Sequence, residues 1–411
     1  MTAITHYMEL LRTAFEAAGL HFTQYGDWAN LQILFVLLLP AVILALFRVR
    51  TRIYGIFASL VMIFLLIWVS GMGMRYFAIF FLFEAALIFI YRLIRKKTAN
   101  KYIYFCFLFL SLCPMVISKI TAALPMTVIG FLGLSYLNFK TIQVIIDLYD
   151  GTVTKVRPLT FIYFILFFPT LSSGPIGRYQ QFESDITAKI PVKSYFGQYF
   201  PNGIRKIIMG IGYKFVLAYL INEYWLTTIP PGHGLATVFS HMYAYSFYLF
   251  FDFAGYSNFA VGASLILGVH TPENFNMPFA SKDIKEFWQR WHISLSRWFN
   301  DYIYSRFVMN ALKKKWFKSR YTAGYVGNIL TMLIMGFWHG LALHYIVYGL
   351  FHGALLVGTD LYHRKSGFHK KHKNSAEACH KIPPCFFRGR GTPASRRLPA
   401  SPWRAGPIPK A

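Results

Sequence analysis

From Leu31 to Gly358 the chain passes through one apolar stretch after another, with only short polar loops between them. The stretches run over residues 31–47, 54–70, 74–94, 102–118, 124–146 and 159–171, then 204–221, 235–267, 326–338 and 341–358. A helix needs roughly 17–25 mostly apolar residues to cross a bilayer. A soluble domain could not hide this many, because 55% of the chain is hydrophobic and only 14% is charged. The expected fold class is therefore an all-α polytopic membrane protein, in which each helix satisfies its own backbone. The run 235–267 is long enough for two helices, which would bring the total to about ten or eleven transmembrane helices.

Charge says how such a chain would sit. Lys and Arg number 42 against 16 Asp and Glu, a formal net charge of +26. A nucleic-acid binder carries that excess on a soluble domain. Here it lies in the loops, so no nucleic-acid partner is expected. Arg48, Arg50 and Arg52 fill the first loop, Arg95, Lys96, Lys97 and Lys101 the third, and Lys155 and Arg157 the fifth, while 71–73 carries no charge. Basic loops stay cytoplasmic, so the amino terminus should lie outside, with residues 1–30 as an extracellular segment. The first thirty residues lack the basic start and apolar core of a cleavable signal peptide. Of the four cysteines, Cys106 and Cys113 share one apolar run and read as packing residues. Cys379, Cys385 and His380 do not complete a zinc site, so no metal is expected.

One stretch departs from the plain pattern. Trp288, Trp291, Leu295, Trp298 and Tyr302 recur at spacings of 3, 4, 3 and 4, which places them on one face of a helix over 287–302. Gln289, His292, Ser296 and Asn300 fall on another face. Such a helix suits either a membrane interface or the wall of a wet internal cavity.

Polar groups inside apolar runs are expensive and have to face a partner or a cavity. Glu84 should pair with a neighbouring helix, and Asp252 is either a functional group or a structural hydrogen bonder. Ser172, Ser173, Gly174 and Pro175 break the run that ends at Leu171, and Gly255 suggests a second break; irregular backbone at that depth has to be buried or line a cavity. His339 lies in the motif MGFWHG, residues 335–340. A neutral imidazole can act as a general base near pH 7, and Gly336 and Gly340 would let a ligand or another helix approach its backbone. A lone histidine in an apolar run is also a common packing residue, and no P-loop, metal motif or Ser–His–Asp order is legible.

Taken together, FWQRWHISLSRWFNDYIY and MGFWHG resemble the two signature regions of the membrane-bound O-acyltransferase superfamily. FPTLSSGPIGRYQQF, FDFAGYSNFAVGASLILGV and PENFNMPF extend the resemblance across roughly residues 30–373. Within the superfamily the chain is most similar to the D-alanyl-lipoteichoic acid biosynthesis branch of Gram-positive bacteria. The resemblance implies a ring of helices around a thin central layer with a tunnel, spanning residues 31–362. It implies His339 and His292 as catalytic histidines, and Gln289, Ser296, Trp338 and Asp252 as candidates for the tunnel lining. No bound cofactor is implied; the donor would be the phosphopantetheine thioester of an acidic D-alanyl carrier protein docked on the cytoplasmic face. Other membrane proteins of the same pathway would be partners. Phe337 and Trp338 would keep water from the thioester. An O-acetyltransferase of an exported polysaccharide shares the FW-R-WH-SLS block, but its glycine- and asparagine-rich continuation is replaced here by SRFVMNALKKKWF. A transporter should show internally similar halves, and none is visible; a non-catalytic scaffold is the remaining reading.

Residues 363–411 are basic, with seven prolines from Pro383 onward and no apolar run, a composition expected to be disordered. Superfamily members usually continue with a further span, so a shift of reading frame near Asn374 would account for the change, as would an added basic tail.

Overall fold

The computed structural model describes residues 25–26, 28–47, 52–69, 74–123 and 133–366. The extracellular segment expected over 1–30 lies almost entirely outside these residues, and the basic tail beyond Ser366 lies wholly outside them. The chain divides into two units, Met1–Thr359 and Asp360–Ala411; of the second, only residues 360–366 are described.

Every regular element among the described residues is helical. In order they are α1 Trp28–Leu46, α2 Arg52–Ile63, α3 Met74–Lys97, α4 Lys101–Ala123, α5 Leu134–Asp150, α6 Pro158–Leu166 and α7 Tyr179–Thr187. A continuous helical run over 192–226 follows, whose regular centre is α8, Phe200–Ile211. Then come α9 Leu235–Ile266, α10 Ile284–Arg290, α11 Ile293–Phe299, α12 Ser305–Lys313, α13 Arg320–His339 and α14 Leu343–Lys365. Three segments, Arg75–Lys97, Lys101–Ala122 and Leu235–Ile266, are long and apolar enough by length and composition to cross a membrane.

Two sequence expectations change here. The stretch 235–267 is one helix of 32 residues, not two. At about 1.5 Å per residue it is some 48 Å long, well beyond a hydrocarbon core of about 30 Å. The stretch 159–171 is not a span. Its α-helix is nine residues long and gives way to a 3-10 turn at Phe168–Thr170, because Pro169 and the Ser-Ser-Gly-Pro sequence cannot continue an α-helix.

Gly255 does not break α9 either. It serves close packing between α8 and α9. A Cβ on Gly255 would lie 3.0 Å from the carbonyl oxygen of Gly210, and one on Gly262 would lie 2.7 Å from that of Gly203. The two glycine pairs sit seven residues apart on each helix, so the backbones meet along an antiparallel seam that no larger residue would permit.

Most residues of α5 are buried. Glu84 of α3 is only 1% exposed. It accepts hydrogen bonds from Ser111 Oγ of α4 at 2.8 Å and from Asn138 Nδ2 of α5 at 3.0 Å, as the helix-pairing expectation required. Lys140, also on α5, donates to Phe164 O and Thr170 Oγ1, at 3.1 and 3.0 Å. The break at 172–175 is buried and supplied with partners. Ser172 Oγ and Tyr256 OH lie 2.5 Å apart, and the Ile176 amide donates to Ser294 Oγ at 2.9 Å. Cys106 faces outward and does not pack in the core, whereas Cys113 is half-buried.

Candidate active site

The amphipathic stretch 287–302 is two helices, not one. α10 ends at Arg290, Trp291 is extended, and His292 adopts the left-handed conformation, φ 43° and ψ 52°, before α11 begins. A histidine there is strained by about 1 kcal/mol or more, so something has to hold it. That residue is Asn274, which is completely buried. Its carbonyl accepts from the Ile293 amide at 2.9 Å. Its Oδ1 accepts from the Ser294 amide at 3.3 Å and from Ser294 Oγ at 2.6 Å, while its Nδ2 donates to Ser257 Oγ at 3.0 Å. The elbow therefore depends on a residue eighteen positions upstream of His292, in the PENFNMPF block.

The elbow turns His292 inward. The side chain is 5% exposed, with its ring 4.8 Å from that of Phe253. Its Nε2 lies 3.3 Å from Tyr136 OH, and its Nδ1 is buried without a hydrogen-bond partner. Tyr136, on α5, also meets Trp338 edge-on at 6.1 Å. Trp338 in turn packs on Phe139 at 5.6 Å and on His339 at 4.5 Å. The two motif histidines thus belong to one aromatic cluster, linked through Tyr136 and Trp338.

His339 is placed differently. It is the last residue of α13, and its side chain is accessible at the surface of the isolated chain. Tyr345 stacks near its ring at 5.9 Å, Tyr348 meets it edge-on at 5.7 Å, and Lys119 Nζ donates to its carbonyl at 3.2 Å. The motif glycines admit α14, not a ligand. A Cβ on Gly336 would lie 2.4 Å from the Tyr345 carbonyl oxygen, and one on Gly340 would strike the Tyr345 ring. Phe337 points outward, 40% exposed, because neighbouring helical residues diverge by about 100°. Shielding of His339 therefore falls to Trp338, Tyr345 and Tyr348.

One helical turn before His339, Met335 lines a cavity of about 530 Å³. Trp288, Gln289, Ser296, Asn300 and Asn328 line it too, so two of the expected tunnel residues share a space that opens beside the histidine-bearing helix. Asp252 is elsewhere. It forms an ion pair with Lys214 of the 192–226 run, which makes it a link between helices; its neighbour Phe253 is the residue that reaches His292. Tyr136, Asn274, Tyr345 and Tyr348 escaped the sequence reading. Nothing local distinguishes them, although Asn274 stood in a quoted block.

A profile of the membrane-bound O-acyltransferase family matches residues 52–375. The chain belongs to the membrane-bound O-acyltransferase family. It is a membrane protein and an acyltransferase, and both signature histidines fall within the matched region. The chain is 41% identical over 362 residues to the teichoic acid D-alanyltransferase of Bacillus subtilis, covering 85% of this chain and 91% of that protein. A protein of the same name from Streptococcus thermophilus is 35% identical over 368 residues, 87% of this chain and 88% of that one. The probable alginate O-acetylase of Pseudomonas aeruginosa is 34% identical over 230 residues, which covers 55% of this chain and 42% of that protein.

Proposed function

We propose that this membrane-bound O-acyltransferase takes a D-alanyl group from the phosphopantetheine thioester of an acidic carrier protein and passes it across the membrane for D-alanylation of teichoic acid in a Gram-positive cell wall. The observation that carries this is the position of His339, accessible at the end of α13 and one turn from a residue lining the 530 Å³ cavity. In this reading His339 removes the proton of an acceptor hydroxyl, whose oxygen attacks the thioester carbonyl. The carbon–sulfur bond breaks, an ester forms, and the thiolate takes up a proton to leave as thiol. The activated thioester makes a positioned base sufficient. His292, held by Asn274 and Tyr136, orients the reacting groups beside it. The cavity lined by Gln289 and Ser296 is the donor's approach to His339, within a ring of about ten or eleven helices.

Carrier docking fits the end of α12, where Met309, Leu312 and Trp316 are exposed beside Lys313, Lys314 and Lys315. Apolar anchors rimmed by positive charge suit an acidic partner. The amino terminus lies outside in this arrangement. The acetyl-transfer alternative draws on relatives that match little more than half of this chain. Purified protein offered D-alanyl-loaded and acetyl-loaded carrier side by side decides between them. Transfer of D-alanine alone is expected; equal use of acetyl would establish the acetyltransferase reading, and binding without transfer would establish a scaffold.

A further inference from the structure

A cavity of about 670 Å³ lies between the start of α2, the end of α7, the connector over 188–191 and the turn after α9. Trp288, Gln289 and Ser296 do not reach it, and the histidine cluster takes no part in it. Its charged lining is Arg52, Lys189, Lys193 and Asp185. The acid is already engaged, because Asp185 accepts from the His270 amide at 2.7 Å and faces the His270 ring at 3.4 Å. Among the described residues none of the three cations has an acidic partner. Arg52 is fixed in place by Thr160, to whose Oγ1 its Nη2 donates at 3.2 Å. Three cations lining one cavity, none with an acidic partner among the described residues, suit a multiply oxygenated anion, and a guanidinium held by Thr160 matches phosphate geometry.

The surroundings select the kind of phosphate. Ala45, Ile186, Ile190 and Val192 supply apolar lining. Immediately beside the lining residues Ala45 and Arg52, Phe47 is 75% exposed and Ile53 is 80% exposed, and Leu46 and Phe57 face outward with them. A cationic hollow that opens beside an apolar outer wall is complementary to an amphiphile. A volume of a few hundred cubic ångströms is the ordinary size of a small-molecule site, whereas a protein partner needs a face of about 800 Å².

We propose that this cavity binds the phosphate headgroup of an anionic phospholipid whose acyl chains lie along the exposed apolar side of α1 and α2. The site is separate from the acyl-transfer reading and does not depend on it.

Full-length protein held in neutral lipid is titrated with short-chain phosphatidylglycerol, phosphatidylcholine and glycerol 3-phosphate, and retained ligand is read by native mass spectrometry. Phosphatidylglycerol should bind more tightly than phosphatidylcholine, and Lys189→Ala with Lys193→Ala should weaken it by about tenfold, since each basic residue near an anionic lipid contributes measurably. Lys189→Arg with Lys193→Arg should keep the affinity. The double alanine variant changes two exposed side chains and should fold, which its unfolding midpoint verifies. Equal retention of both lipids, or an unchanged double alanine variant, overturns the proposal. Displacement of phosphatidylglycerol by equimolar glycerol 3-phosphate overturns the lipid assignment in favour of a simple anion. Loss of acidic carrier binding in the double variant with lipid retention intact assigns the surface to a protein and overturns it too.

Discussion

His339 and His292 occupy unlike surroundings, and their substitutions should behave differently. His339→Ala removes an accessible ring at a helix end, so insertion and fold should persist while transfer falls by about 10²–10⁴, the usual loss for a general base. Near-normal turnover by a well-folded variant would remove His339 from the chemistry. Tyr136→Phe keeps the ring that separates His292 from Trp338 and deletes only the hydroxyl near His292 Nε2. One neutral hydrogen bond is worth about 1 kcal/mol, so kcat should drop by about tenfold or less with the unfolding midpoint nearly unchanged. A third residue reports on stability. The hydrogen bond that the His270 ring makes to the Asp185 carboxylate raises the His270 pKa above its ordinary value, against the opposing effect of partial burial. A raised histidine pKa means the folded protein holds the proton more tightly than the unfolded chain. The contribution is therefore complete below about pH 6.5 and is lost as pH rises through the raised value. Thermal midpoints of wild type and His270→Gln should differ most at low pH and converge once the pH has passed the raised value; a constant gap would mean that packing against Tyr199, not charge, is responsible.

At the scale of elements, the elbow between α10 and α11 is the feature that turns His292 inward, and the proposed chemistry would rest on it. Asn274→Ala leaves Ser257 and Ser294 without their buried partner and frees the left-handed His292. Each abandoned group costs about 1–3 kcal/mol, so the unfolding midpoint should fall and transfer should fall with it. Intact activity in a measurably destabilised variant would show that the elbow holds itself. The same elbow marks what the sequence could and could not disclose. The apolar helices α1 to α4 were legible because hydropathy is a local property, and α3 and α4 are long and apolar enough to cross a membrane; the break at 172–175 was legible too, because Pro and Gly act on their own neighbours. The spacing of Trp288, Trp291, Leu295, Trp298 and Tyr302 fitted one helix equally well, since α10 and α11 are both helical and only two residues depart from the pattern. What bends them is a side chain eighteen residues away, and periodicity carries no trace of such a partner. Gly255 misled for a related reason. A glycine that permits close approach and one that permits a bend look alike until the facing helix, with Gly210 on it, is in view. The motifs singled out His292 and His339, which one aromatic cluster brings together; the rings between them, Tyr136 above all, were not legible.

For the whole molecule, encounter with an acidic carrier should be steered by charge. The association rate should fall by about tenfold between low and high salt, because exposed charges are screened beyond roughly 8–10 Å at physiological ionic strength. Surface plasmon resonance with the loaded carrier would measure this, and a salt-independent rate would leave the apolar anchors of α12 as the whole interface. The buried Glu84 cluster has a consequence of another kind, in time. The ribosome delivers α3 to the bilayer before α4 and α5 exist, so for that interval a carboxyl group faces lipid with no protein partner, a costly arrangement. Ser111 follows on α4 after a connector of three residues, 98–100, and Asn138 comes only with α5. The first two helices are thus better inserted together as a hairpin than one after the other. A nascent chain halted just after Lys97 should slip from the membrane more readily than one that has reached Ala123, which makes the order of synthesis part of how this protein is assembled.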